Sequence, residues 1–120
     1  MNMKEVKEIL GAEVICGAEL MNMEVSMGYG SDLMSHVLAF ITHDHTLLLT
    51  GLTTPQVVYI TDVVNIKAIC FTSGKRPEEE TIELACKRNM ALLAVELPTF
   101  ESCGKLYKEG LSGCSEYEGK

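Results

Sequence analysis

The chain alternates short, unbroken apolar runs with stretches whose apolar residues recur every three or four positions. TLLLT (46–50), AICFT (68–72) and ALLAV (91–95) lack polar alternation, which predicts strands covered on both faces. A helical pattern follows each one. After the first, Val57, Ile60 and Val64 share a face, with Thr54 as cap and Pro55 at the first position, where a missing N–H costs nothing. After the second, SGKRP (73–77) turns into a helix with Ile82, Ala85 and Cys86 inward. Glu78, Glu79 and Glu80 stand near its start and Lys87 and Arg88 near its end, as the helix dipole favours. After the third, Pro98 and Thr99 open a helix to about Glu109, stopped by Gly110.

The N-terminal part is less regular. Residues 3–10 predict a short helix ending at Gly11, and residues 12–17 a strand closed by glycine. Residues 19–28 read as extended, with a turn at Gly28, Tyr29 and Gly30. Ser31 or Asp32 then caps a helix to about Ile41. Leu33, Met34, Val37, Leu38, Phe40 and Ile41 cover more than one side of it. Such a helix is buried on both sides, or buried on one and in contact with a partner on the other. The repeated strand–helix units, joined by connections too long for hairpins, predict a three-layer α/β/α fold with a mostly parallel sheet. One domain is expected over residues 1–113, with 114–120 a polar, frayed tail.

Composition narrows the function classes. A 120-residue chain that is 47% hydrophobic can bury a core, and a net charge of -7 argues against a nucleic-acid partner. No apolar run reaches the ~18 residues of a membrane span. The charged MNMKEVKEIL start lacks the order of a signal peptide, so a cytoplasmic location is expected. The five cysteines, Cys16, Cys70, Cys86, Cys103 and Cys114, are odd in number and contain no CxxC, so reduced, buried thiols are expected.

In a parallel sheet the loops after the strands gather at one edge beside helix N-termini. Here that edge would bring Thr50, Gly51, Thr53 and Thr54 of TGLTTP next to Ser73, Gly74, Lys75 and Arg76 of TSGKRP. Backbone N–H groups at helix starts attract anions, and two cations strengthen the attraction. The edge is therefore a candidate site for a phosphorylated small molecule or nucleotide. Gly, Ser, Thr and Pro are also the ordinary residues of caps and turns, and neither a Walker A loop nor GxGxxG is present. His43 and His45 form an HxH pair without a third ligand nearby in sequence, and a polar turn explains them as well. His36 and Cys103 are the candidates for general base and reactive thiol. No cofactor or metal is expected.

Taken together, SDLMSHVLAF, LLLTGLTTPQVV, AICFTSGKRP and the run from IELACKRNM to LYKEGL resemble the DRTGG domain family, in particular its short stand-alone members, from about Val6 to Gly113. The family is similar to the N-terminal domain of HPr kinase/phosphorylase. It also occurs in some phosphotransacetylases and between the CBS domains of some inorganic pyrophosphatases. The resemblance implies an α/β/α domain without its hosts' catalytic centre, serving regulation or dimer contacts, and suggests neighbours among iron-hydrogenase and other electron-transfer systems. Two departures stand out: Leu52 and Thr53 replace the wider family's Asp-Arg, and Thr72, Ser73 and Gly74 replace Thr-Gly-Gly. A ligand role of that Asp-Arg pair does not carry over, and without a Walker A loop a kinase label does not fit. The expectation is a non-catalytic regulatory or protein-interaction domain. It would form a homodimer and meet a protein partner and a small phosphorylated ligand. The alternative is a small thiol- or histidine-dependent enzyme.

Overall fold

The computed structural model of the chain describes residues 1–41 and 43–115. Within them the elements run α1 (Met3–Leu10), β1 (Glu13–Cys16), β2 (Met27–Gly30), α2 (Met34–Phe40), β3 (Thr46–Thr50), α3 (Gln56–Val63), β4 (Ala68–Phe71), α4 (Glu79–Lys87), β5 (Ala91–Ala94), α5 (Thr99–Lys108) and β6 (Ser112–Gly113). One sheet of order β1-β5-β4-β3-β2-β6 joins all six strands. Every pairing is parallel except that of β1 with β5. The α/β fold predicted from the apolar runs is the one observed.

The central strands explain the layering. All five residues of β3 and all four of β4 are buried. Side chains alternate across a strand, so Leu47 and Leu49 enter one core and Leu48 the other. The first core is closed by α1 and α5 through Met3, Val6, Leu10 and Leu106. The second is closed by α2, α3 and α4 through Val37, Val57, Val58 and Ala85. The first helix follows from its ends. Asn2 accepts from the Glu5 amide at 2.9 Å while the Glu5 carboxylate accepts from the Asn2 amide, and left-handed Gly11 terminates the helix.

Four expectations are corrected. Gly28, Tyr29 and Gly30 are not a turn but the body of β2, paired with Leu47, Leu48 and Leu49. Glycine is needed there for space: a Cβ on Gly28 would lie 3.0 Å from Leu111, and one on Gly30 would lie 2.8 Å from the Cys103 sulfur. Residues 19–28 are accordingly extended only in part, since Ala18–Leu20 is a short 3-10 turn. Neither Ser31 nor Asp32 caps α2. Leu33 holds the cap position; Ser31 Oγ accepts from the Leu33 amide, and Asp32 is used elsewhere. Finally, Cys16 and Cys86 are joined in a disulfide instead of standing as buried thiols, and Cys86 is exposed while Thr81 takes the inward position. The antiparallel edge strand β1 runs beside α4, and the two Cα atoms are 6.1 Å apart, inside the span a disulfide bridges. The predicted frayed tail falls mostly on residues 116–120, which lie outside the described residues.

Candidate functional site

The loops after β2, β3, β4 and β5 meet at the C-terminal edge of the sheet. The amide of Thr72 donates to the carbonyl of Thr50 at 3.0 Å, so the two predicted half-sites are neighbours through their backbones. Asp32, two residues beyond β2, reaches across to the first of them. One oxygen of its carboxylate accepts from the Gly51 amide at 2.7 Å and from Thr50 Oγ1 at 3.1 Å. Thr50 Oγ1 in turn accepts from the Leu52 amide. The side chain of Thr50 is fully buried, so this chain of hydrogen bonds satisfies a hydroxyl that water does not reach. Thr53 contributes its carbonyl, which accepts from the Glu78 amide and from Thr81 Oγ1 and so ties this loop to the start of α4. The Thr54 carbonyl accepts from the Val57 amide, but the expected Thr54 cap does not form: Pro55 holds the cap position of α3, which begins at Gln56, and no side chain caps it.

The second loop is organised by backbone conformation. Ser73 and Gly74 both have positive φ, 65° and 70°. Their amides donate to the carbonyls of Leu97 and Val95, at 2.8 and 3.0 Å. Thr72 Oγ1 and Thr99 Oγ1 share a hydrogen bond at 2.6 Å, which fastens the loop to the first turn of α5. Lys75 and Arg76 are exposed and face the β1–β5 side. There Arg76 pairs with Glu13 at 3.1 Å, and both line a cleft of about 270 Å³ with Lys75 and Glu96.

The edge thus brings all eight candidate residues onto neighbouring loops, but their donors are already partly engaged. The amides of Gly51, Ser73 and Gly74 each have an acceptor within the protein. Exposed groups at this edge include the Asp32 carboxylate, the Lys75 ammonium and the Arg76 guanidinium. The loop through Asp32 is expected at this edge from the sequence, but Asp32 itself is not among the candidate residues, because nothing local marks its reach to Thr50 and Gly51.

The remaining candidates have other surroundings. Burial pushes the Cys103 thiol up from its ordinary value, the opposite of what activates a nucleophile. Burial, and to a lesser degree Cys103, push Cys70 up to about 12. His36 is exposed, with its ring edge-on to Phe40 at 5.5 Å. His45 lies 3.9 Å from Asp44, and among the described residues no three His, Cys, Asp or Glu side chains group to hold a metal. No described helix is long and apolar enough to cross a membrane.

Comparison with known proteins gives a family and a relative in fold. The family model of the DRTGG domain matches residues 5–108. Comparison with curated proteins gives no match. Among solved structures, the chain is similar to the CBS and DRTGG domains of the regulatory region of Clostridium perfringens pyrophosphatase, complexed with its activator diadenosine tetraphosphate. The TM-score is 0.71 at 16% identity, over 88% of this chain and 45% of that one. At that identity the likeness is one of fold, and this chain spans less than half of its relative.

Proposed function

Because the chain belongs to the DRTGG domain family, we propose that it is a non-catalytic, cytoplasmic regulatory or protein-interaction domain, working as a homodimer and responding to a nucleotide or another phosphorylated small molecule. The observation that carries the interaction role is α2. Met34, Val37 and Ile41 fill the core, while Leu33 and Phe40 are 56% and 59% exposed. A helix apolar on two sides with one of them in water is a surface made for a protein.

The ligand role rests on the loop edge and is supported by the activator bound by the related regulatory region. With Gly51, Ser73 and Gly74 amides engaged, the phosphate falls to Lys75 and Arg76. The Asp32 carboxylate between Thr50 and Gly51 suits a hydroxyl, as acidic side chains at such edges suit a ribose. Thr53, Thr54 and the Ser73 hydroxyl belong to the same proposed edge. A place beside an iron-hydrogenase or other electron-transfer system belongs to the same proposal. A pull-down from the native host that recovers no such component removes that part.

A thermal-shift series with phosphate, AMP, ATP and diadenosine tetraphosphate tests the ligand. A ligand that binds only the folded state raises the melting temperature in step with its concentration over Kd. At least one nucleotide should do so, and Lys75→Ala with Arg76→Ala should abolish the rise. No shift with any of them, or a shift the double variant keeps, removes the site.

A further inference from the structure

We infer that a second copy of this chain docks on the outer face of α5, with the two α5 helices crossing antiparallel at Gly104. The inference deepens the homodimer reading above by naming its surface. It starts from a glycine that the single chain does not require. Gly104 lies inside α5, where glycine is among the weakest helix formers. Its backbone is helical, with no positive φ to justify it. A Cβ built on it meets nothing within 4 Å, so no neighbour in the chain excludes a side chain either. In this it differs from Gly28 and Gly30, whose missing Cβ atoms leave room for Leu111 and Cys103. A glycine at the exposed apex of a helix instead lets another helix backbone come close.

The residues around Gly104 fit that use. Phe100, one turn before it, is 86% exposed, the most of any large apolar side chain among the described residues. Phe100, Gly104 and Tyr107 follow helical spacing and share a face. They line one side of an apolar cavity of about 330 Å³, whose floor is Gly28, Gly30 and Leu111. Glu101 and Lys108 flank this face, one on each side of Gly104 along the helix, and both are exposed. Among the described residues neither has an ion-pair partner in its own chain. A twofold axis at Gly104 brings Glu101 of one copy to Lys108 of the other, twice. That self-complementarity is what an isologous contact requires. The same operation carries Phe100 of each copy toward the cavity beside Tyr107 and Leu111 of the other.

The test is the mass in solution of the full chain, by light scattering behind size exclusion and by sedimentation equilibrium, at about 50 µM, where micromolar dimers are populated. Wild type should be a dimer and Gly104→Leu a monomer with an unchanged circular-dichroism spectrum, since the new side chain meets nothing in its own fold. Glu101→Lys should raise the dimer Kd about tenfold at low salt, because two like-charged pairs then face each other. Adding Lys108→Glu should restore it. A wild-type dimer that Gly104→Leu leaves intact, or a double swap that does not rescue, overturns the α5 crossing while the homodimer stands. A monomeric wild type overturns both.

Discussion

The loops after β3 and β4 lie side by side, joined where the Thr72 amide meets the Thr50 carbonyl, yet they are held by different means. The first is held by side chains: Asp32 from the neighbouring loop accepts from Gly51 and Thr50, and Thr50 accepts from Leu52. The second is held by its backbone, with Ser73 and Gly74 in left-handed conformations and their amides on carbonyls of the β5 loop. Both are built from small polar residues that look interchangeable as text. A side-chain hub can be rearranged by a competing hydrogen-bonding ligand, whereas a backbone clasp has no group to give up. If the edge responds to a ligand, movement should therefore begin at Asp32 and the β3 loop, with the β4 loop as a fixed support.

The largest expected effect separates the support from the hub by attacking β4 itself. Cys70 lies in β4, and burial raises its thiol from 9.0 to about 12. The folded protein thus holds this proton more tightly than the unfolded chain. Its contribution is whole below pH 9 and is lost as the pH climbs toward 12, by up to about 1.4 kcal/mol per pH unit. Denaturation at stepped alkaline pH should show wild type weakening faster than Cys70→Val, whose slightly larger side chain cannot ionise; the pH slope, not the absolute stability, is compared. Equal slopes would mean that β4 opens to solvent more easily than its burial implies.

Next comes the hub. Thr50→Val keeps the shape of a fully buried side chain but removes its hydroxyl, leaving the Leu52 amide without its acceptor. A loss of about 2 kcal/mol is expected. Asp32→Ala should cost about 1 kcal/mol, because water can reach the Gly51 amide in its place. Since both changes act on one network, the double variant should lose less than the sum. Additive losses in urea denaturation would show that Asp32 and Thr50 act separately. Gly74→Ala probes the clasp. At φ 70° an alanine is strained, and its Cβ would stand 2.9 Å from Glu96 Oε1, though that oxygen ends a flexible side chain and can move. About 1 kcal/mol is expected, read by urea denaturation.

The contrast between the loops also explains what could be read in advance. The strand over Thr46–Thr50 and the helix over Met3–Leu10 appear with the predicted bounds, because a doubly buried strand and a capped amphipathic helix leave local marks. β2 left a misleading one. Its glycines serve contacts with Leu111 and Cys103, residues far along the chain, yet locally they look like a turn. The two-residue β6 and the Cys16–Cys86 bond, 70 residues apart in sequence, have no local mark at all. The candidate site divides in the same way. That the Thr50 and Ser73 loops would be adjacent follows from parallel topology. That Asp32 would fill the first of them does not, since its side chain crosses from the neighbouring loop to Thr50 and Gly51, a contact with no local mark.

The smallest effect is the most useful for deciding whether the edge binds anything. Arg76 and Glu13 are 60% and 64% exposed, so their ion pair is screened by water and by salt. Arg76→Ala should change stability by no more than about 0.5 kcal/mol, and by less as salt rises. Lys75 forms no ion pair among the described residues, and its replacement should be quieter still. Because neither substitution moves the unliganded melting temperature appreciably, a ligand-induced shift measured in each is read directly as binding. The Asp32 and Thr50 variants do not have this advantage, since they alter the fold and the site together. If a nucleotide stabilises wild type and Arg76→Ala equally, the guanidinium belongs to Glu13 alone, and the cation that matters must be sought at Lys75.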